Sequence, residues 1–228
     1  FSALNVNANK GNDKVEFVAF SALEKSIIGL GADNDTFSAA TIGSALSSTI
    51  AGGKGNDSIS VEFGVAHQVV IGGDRANANP LDGDGHDSIW IKASTEFSAG
   101  TIYGGGGNDT LTFSGDISAS TISLGAGQDI FSAQAANVIS DTTIGLGNQG
   151  DEFHIVDGVQ VLSSRLNLGK GLDTTNFGSA EIGSAADFGS TTVYGGAGAD
   201  YLLGSANLSA GDTPQPILEY VANSESTI

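Results

Sequence analysis

The stretch Ala51-Gly52-Gly53-Lys54-Gly55-Asn56-Asp57-Ser58-Ile59 decides the fold, because its design returns along the chain. A glycine-rich turn is followed by one aspartate and then by alternating apolar positions. Two further copies match it closely, Gly104-Gly105-Gly106-Gly107-Asn108-Asp109 and Gly195-Gly196-Ala197-Gly198-Ala199-Asp200. A motif that recurs in this way predicts a repeat architecture.

The aspartates that close these turns recur about every 22 residues. Five of the eight successive spacings are 22 residues, and the others are 20, 27 and 30. This period is typical of a solenoid, in which each repeat buries its apolar face only by stacking on its neighbours. The series consists of Asp13, Asp35, Asp57, Asp87, Asp109, Asp129, Asp151, Asp173 and Asp200.

Apolar residues flank each turn with the alternation of β-strands. Ile59 and Val61 follow Asp57, Ile50 precedes it by seven residues, and a weaker apolar signal predicts a third short strand in each repeat. We therefore predict an all-β parallel solenoid of about nine coils with a roughly 22-residue repeat. It spans residues 1–204, residues 205–228 are a C-terminal cap or linker, and residues 74–81 are predicted to bulge from the rod as a loop.

The charge balance predicts a cation as partner. The 228 residues include 26 acidic and 8 basic ones, for a net charge of −18, which repels nucleic acid and anionic membranes. There is no cysteine for a disulfide or thiolate site, and no apolar run reaches the roughly 18 residues of a membrane span. The chain begins at Phe1 and lacks methionine and a signal peptide, so we expect a processed product or a segment of a longer polypeptide.

Stacked coils would align one aspartate per coil, and the repulsion between these carboxylates would have to be compensated. Two carboxylates 5 Å apart repel by about 3 kcal/mol at an effective dielectric constant of 20. Calcium accepts carboxylate and main-chain carbonyl oxygens, and glycine turns can present carbonyls. We therefore predict several Ca²⁺ ions held by Asp13, Asp35, Gly53, Gly55, Asp57, Gly83, Gly85, Asp87, Gly105, Gly107, Asp109, Gly125, Gly127, Asp129, Asp151, Gly169, Gly171, Asp173, Gly196, Gly198 and Asp200.

The glycine-aspartate copies resemble the calcium-binding nonapeptide repeats of the RTX (repeats-in-toxin) β-roll family, G-G-x-G-x-D-x-U-x. The resemblance covers about residues 9–204; it is strong at the three turns quoted above and looser at six. It implies export from a bacterium and folding on external calcium. Here one motif occurs per 22 residues, whereas the family places two in an 18-residue coil, so we expect calcium along a single edge.

Sequence motifs of enzymes are not found. Zinc-protease, P-loop and G-x-S-x-G signatures are missing, and His67, His86 and His154 fall in different repeats. We therefore expect no enzyme activity, although carbohydrate-active enzymes also use parallel solenoids. A threonine row, which suggests the alternative of an ice-binding solenoid, consists of Thr49, Thr101, Thr121, Thr143 and Thr192, with Val70 and Arg165 interrupting it.

Together these features predict a calcium-stabilised structural module of a secreted bacterial cell-surface protein, in a surface layer or an extracellular filament. Expected partners are calcium and copies of the chain or other surface components, with neither nucleic acid nor a membrane span. The alternatives are a segment of an RTX adhesin, or an RTX secretion and folding module of a secreted enzyme or toxin. A catalytic domain in the same polypeptide would favour the last of these.

Overall fold

The computed structural model describes residues 1–74, 85–134, 138–156, 159–176, 191–198, 200–203 and 219–221. These residues form strands and turns and contain no helix, hence none long and apolar enough to span a membrane. The strands build two parallel sheets that wind as one β-solenoid, as predicted. Three parts of the predictions lie outside the described residues. They are Gly83, residues 75–81 of the predicted loop, and all of the predicted C-terminal segment except residues 219–221.

Ten strands form the first sheet, each aligned in parallel with its neighbours. They are β1 (Asn5–Asn7), β4 (Ile27–Ala32), β6 (Thr49–Lys54), β8 (Val70–Gly72), β10 (Thr101–Gly106), β13 (Thr121–Ala126), β16 (Thr143–Asn148), β19 (Arg165–Lys170), β21 (Thr192–Tyr194) and β23 (Glu219–Val221).

Thirteen strands form the second sheet, which bends along its length so that each full coil has two segments there. They are β2 (Lys14–Phe17), β3 (Phe20–Glu24), β5 (Thr36–Leu46), β7 (Ser58–His67), β9 (Ser88–Ser98), β11 (Thr110–Ser114), β12 (Ile117–Ser118), β14 (Ile130–Gln134), β15 (Val138–Ser140), β17 (Glu152–Ile155), β18 (Gln160–Leu162), β20 (Thr174–Asn176) and β22 (Tyr201–Leu203). The predicted third strand is therefore confirmed from the first repeat through β18.

We number the coils by their strands: coil 1 is β1–β3, coils 2 to 4 are β4–β5, β6–β7 and β8–β9, and coils 5 to 7 are β10–β12, β13–β15 and β16–β18. Coils 8 (β19–β20) and 9 (β21–β22) lack their third segment among the described residues. About seven coils are thus complete, slightly fewer than the predicted nine. The strand β23 pairs with β21 in parallel, with Thr192 opposite Glu219.

The core is a set of columns in which equivalent residues stack coil upon coil. Ile28, Ile50, Ile71, Ile102 and Ile122 form one column from the first sheet, with exposures of at most 1%. Ile71 precedes Asp87 by 16 residues, because the extra residues of the 30-residue spacing fall between this strand and the aspartate. The predicted inward positions are therefore confirmed, and the insertion lies before the turn of coil 4.

The corner opposite the aspartates turns through one residue in the left-handed region, for example Lys25 and Ser47, each with φ 47°. The next residue is often a buried serine or threonine whose hydroxyl oxygen accepts an N–H from the preceding coil. The Ser26 N–H donates to Ser48 Oγ at 3.1 Å, and the Thr142 N–H donates to Ser164 Oγ at 3.2 Å. This corner is thus held by a hydrogen-bond ladder of its own.

One core position carries a polar side chain without a partner. Thr175 stacks on Phe153 in the second sheet, is 0% exposed, and its hydroxyl makes no hydrogen bond. A buried hydroxyl that lacks a partner costs about 1–3 kcal/mol. This position is a local defect of the core.

Replacing Thr175 by valine is expected to stabilise the protein by about 1–2 kcal/mol, because valine has nearly the same shape and no hydroxyl to desolvate. Urea unfolding monitored by circular dichroism measures the effect. The control is Thr174→Val at the neighbouring half-exposed position, where little change is expected. A loss of stability in Thr175→Val would show that its hydroxyl has an unrecognised partner.

Candidate metal site

The nine aspartates form a continuous ladder, which we call the aspartate ladder, along the turn between the two sheets. Each main-chain N–H donates to Oδ1 of the equivalent aspartate in the next coil. The bond from Asp87 to Asp109 is 2.8 Å long, and so is that from Asp109 to Asp129. The other six bonds measure 2.7–3.3 Å. Three of them join Asp13, Asp35, Asp57 and Asp87 in turn, and three join Asp129, Asp151, Asp173 and Asp200.

In coils 1 to 8 the ladder leaves one carboxylate oxygen per coil without a hydrogen-bond partner. From Asp35 onward the nine-membered ladder is buried, with exposures of at most 2%. The Oδ2 atoms of its first eight members, Asp13 to Asp173, are buried and accept no hydrogen bond. An ionised carboxylate in such surroundings requires a positive charge or a proton.

Burial governs the protonation of these side chains. It raises the pKa of Asp35, and raises that of Asp57 to about 7, of Asp109 to about 9, and of Asp129 to about 6. The pKa values of Asp87 and Asp151 rise to about 8 and that of Asp173 to about 7. The ladder N–H bond opposes the rise, and neighbouring carboxylates add to it in most coils. Ionisation of the ladder aspartates is therefore unfavourable when no positive charge compensates the carboxylates.

The turn glycines that we predicted as ligands form two columns beside the ladder. Their φ angles lie between 87° and 142° at Gly53, Gly55, Gly105, Gly107, Gly125, Gly127, Gly169, Gly171, Gly196 and Gly198. A Cβ on Gly127 would lie 1.9 Å from the Gly107 carbonyl oxygen of the preceding coil. Close stacking therefore already requires glycine here, whether or not the carbonyls bind a metal. Gly85 lies in the same column, and a Cβ there would lie 1.9 Å from the Gly55 carbonyl oxygen.

Two turns that depart from the motif still join the ladder. Asp33 and Gln149 occupy glycine positions with φ near 80°, in the region that short polar side chains tolerate best. As in the other coils, Asp35 Oδ1 accepts the Asp13 N–H at 2.7 Å, and Asp151 Oδ1 accepts the Asp129 N–H at 2.9 Å.

The first glycine of the motif makes room for the aspartate, a role the sequence analysis missed. A Cβ on Gly52 would lie 2.3 Å from Asp57 Oδ2, and a Cβ on Gly104 would lie 2.5 Å from Asp109 Oδ2. Other coils have leucine at this position, namely Leu30, Leu124, Leu146 and Leu168. In the G-G-x-G-x-D turns at Asp57 and Asp109 the carboxylate therefore occupies the space that a Cβ on this glycine would need.

Asp74 is a further carboxylate at this edge, and its prediction as the start of an exposed loop is wrong. It is 4% exposed, its N–H donates to the Gly104 carbonyl at 3.1 Å, and its Oδ2 accepts the Gly106 N–H at 3.0 Å. Its charge raises the pKa of Asp57, Asp87 and Asp109 further. No sequence signal marked it, because the insertion obscures which residues remain in the coil.

The residues before the first six aspartates form a second ladder that the sequence analysis did not identify. The Asn34 N–H donates to Asn12 Oδ1 at 3.0 Å, and the Asn56 N–H donates to Asn34 Oδ1 at 2.8 Å. His86 continues it, since its Nδ1 accepts the Asn108 N–H at 2.6 Å. His86 is therefore an exposed side chain that takes part in the stacking. The asparagine in G-x-G-N-D was the available signal.

The donor chemistry of this edge fits a cation that prefers oxygen. Ladder Oδ2 atoms and turn carbonyls are both oxygen donors, the ligands of calcium. Within the described ranges no group of three or more histidine or acidic side chains could hold a metal ion by itself. An ion here would therefore need main-chain oxygens beside the carboxylates.

Neither protein-family profiles, curated proteins nor solved structures yield a match to this chain.

Proposed function

We propose that this chain is a calcium-stabilised structural module of a secreted bacterial cell-surface protein, in a surface layer or an extracellular filament. One observation carries the calcium part of the proposal. Eight successive coils each bury a carboxylate oxygen that accepts no hydrogen bond, in a chain with a net charge of −18. A divalent cation bound by oxygen would compensate this column.

The ladder aspartates and the turn glycines would share the ions. Asp57, Asp109 and Asp200 would contribute Oδ2 at the turns that match the motif, and Gly53, Gly107 and Gly198 would contribute carbonyls from the same turns. Bound calcium supplies the positive charge that the buried carboxylates lack. The ladder N–H bonds meanwhile hold each accepting carboxylate at a constant position relative to the preceding coil.

The structural role rests on the regularity of the rod. Equivalent residues stack through successive coils, and the three histidines lie apart in coils 3, 4 and 7. Folding that depends on calcium would keep the chain unfolded where calcium is scarce and fold it outside the cell. The resemblance to RTX repeats supports secretion, and it extends equally to an adhesin segment.

A calcium titration followed by far-UV circular dichroism tests the proposal, with magnesium as the control ion. We expect a cooperative coil-to-β transition with calcium and none at equal magnesium. A β signal that is complete in chelator and unchanged by calcium would overturn the calcium proposal. Small-angle scattering at the same points would distinguish the extended rod from a collapsed state.

Replacing Asp109 by alanine is expected to raise the calcium midpoint by about tenfold or more, equivalent to at least about 1.4 kcal/mol. The physical reason is that its carboxylate lies between the neighbours Asp87 and Asp129 and would serve the sites on both sides. Isothermal calorimetry and dichroism both report the midpoint. An unchanged midpoint would exclude shared ligands.

Two variants separate ligand loss from other effects of this change. Asp109→Asn retains an acceptor for the Asp87 N–H but loses the carboxylate, so it should raise the midpoint as alanine does. Glu152→Ala removes an exposed acid outside the ladder and should leave the midpoint unchanged.

A further inference from the structure

Coil 4 adds a further buried carboxylate to the aspartate ladder. The Asp74 N–H donates to the Gly104 carbonyl, which places Asp74 level with Gly105, a turn glycine of coil 5. Asp74 is 4% exposed, and the ladder aspartates of coils 3 to 5 are at most 2% exposed. Each of the other coils from 2 to 9 buries one carboxylate among the described residues. Coils 3 to 5 therefore hold four buried carboxylates, which belong to Asp57, Asp74, Asp87 and Asp109.

The inward side of this edge is lined by glycine in the same three coils. A Cβ on Gly73 would lie 2.2 Å from Asp87 Oδ2, the same relation that Gly52 and Gly104 have to the ladder aspartates of coils 3 and 5. The three Oδ2 atoms concerned are buried and accept no hydrogen bond. In coils 2, 6, 7 and 8 the equivalent residue is a leucine. Three unpartnered oxygens thus point toward one stack of glycine main chain, and that stack contributes no side chain.

Asp74 increases the repulsion among these acids. Besides burial, its charge contributes most to the raised pKa of Asp87, and it also contributes to the raised pKa of Asp57 and Asp109. Four carboxylates carry the charge of two divalent cations, and three successive ladder aspartates elsewhere carry one charge less. The need for a compensating cation is therefore greatest in coils 3 to 5.

We propose that Asp74 makes coils 3 to 5 the tightest calcium site of the rod, which fills first and from which folding spreads to the other coils. The inference rests on the proposed function and assigns one part of the ladder a role within it. No three of the described acids could hold an ion by themselves, so each ion would lie between two carboxylates and take main-chain carbonyls as further ligands. The affinity of a calcium site rises with the number of its charged ligands. In a solenoid, folding can start in one repeat and propagate to its neighbours.

Two possible roles of Asp74 predict opposite effects of removing its charge. A buried acid that binds no cation opposes folding, so its loss would stabilise the chain with or without calcium. A calcium ligand also opposes folding in chelator, but its loss would weaken the fold when calcium is present. The sign of the change in calcium therefore identifies the role.

Isothermal calorimetry with calcium compares Asp74→Asn with the parent chain. Asparagine keeps an acceptor for the Gly106 N–H and lacks the charge. We expect the dissociation constant of the tightest calcium ions to rise at least about tenfold, and the calcium midpoint in circular dichroism to rise with it. A variant that binds calcium as tightly as the parent, or folds at lower calcium, would show that Asp74 is only a buried acid and would overturn the site.

The matched control is Asp33→Asn in coil 2. Asp33 also stands at a glycine position, and its Oδ2 accepts the Gly11 N–H at 3.1 Å. It is exposed, however, and its coil has Leu30 at the inward position. Water and salt screen an exposed charge, so the tightest ions should bind Asp33→Asn as they bind the parent. Equal losses in both variants would mean that the total charge sets the affinity, which would also overturn the site.

Hydrogen exchange of the parent chain gives a second test that needs no variant. At calcium concentrations that fill only the tightest ions, the amides of β7, β9 and β10 should exchange more slowly than those of β16, β17 and β19. Protection that appears first in coils 7 and 8, or in all coils together, would contradict a start of folding in coils 3 to 5.

The same titrations keep this result separate from the proposed function. A parent chain that is fully folded in chelator and binds no calcium would exclude the calcium proposal as a whole, and this site with it. A parent chain that folds on calcium, with the same affinity in Asp74→Asn, would retain the proposed function and exclude only the role of Asp74.

Discussion

Replacing Gly147 by alanine is expected to destabilise the folded chain by at least about 3 kcal/mol, a large part of the 5–15 kcal/mol that stabilises a typical domain. Its φ is 129°, and a Cβ would lie 1.8 Å from the Gly125 carbonyl oxygen of the preceding coil. That atom belongs to the main chain of a stacked coil, so it cannot move without separating the coils. Urea unfolding in calcium measures the loss.

Gly145, two residues earlier in the same strand, provides the matched control. A Cβ there would lie 4.0 Å from its nearest neighbour, the Ile122 carbonyl oxygen, and its φ is not positive. Gly145→Ala is therefore expected to be neutral or to stabilise by about 0.4–1 kcal/mol, because alanine restricts the unfolded chain. Equal losses in both variants would mean that stacking at Gly147 is less close than the structure indicates.

Removing calcium is expected to reverse the pH dependence of stability. Without metal, the pKa values of ladder aspartates are raised above their unfolded values, to about 6 at Asp129 and about 9 at Asp109. Their stabilising contribution is therefore complete below about pH 4. It is lost as the pH rises through the range 6 to 9. Each unit by which a pKa is raised corresponds to about 1.4 kcal/mol, so the summed effect of a few such groups exceeds the stability of a typical domain.

With calcium, the opposite trend follows, since the carboxylates must lose their protons to bind the metal. In chelator the β signal in circular dichroism should therefore be larger at pH 5 than at pH 8, whereas in excess calcium the urea midpoint should be higher at pH 8 than at pH 5. If stability in excess calcium also falls as the pH rises, the ladder is a stack of protonated acids and not a metal site.

Much of the fold followed from local patterns that repeat at a constant spacing. Asp57 and Ile59 predict a turn and an inward strand residue wherever the motif recurs, because an in-register parallel stack places equivalent residues on one another. The same reasoning brought the nine aspartates to one edge, and the structure confirms that they meet. Even the altered turns at Asp35 and Asp151 join them.

The side-chain details of that edge could not be predicted in the same way. The 30-residue spacing does not show which residues leave the rod, so Asp74 was placed in a loop although it is buried beside three ladder aspartates. The asparagine in G-x-G-N-D recurs and could have indicated the second ladder, but its recurrence alone does not distinguish a stacking residue from a turn residue. His86 joins that ladder only because Asn108 lies above it.

The sequence by itself determined the parallel β-solenoid, its 22-residue period and the stacking of its aspartates, because periodicity along the chain becomes proximity between coils. Only the tertiary structure decided that each aspartate from Asp35 to Asp173 has one oxygen in a hydrogen-bond ladder and the other without a partner. It also decided why the turn glycines are needed. These features depend on the offset between adjacent coils and on the direction of each side chain, which a one-dimensional repeat does not contain.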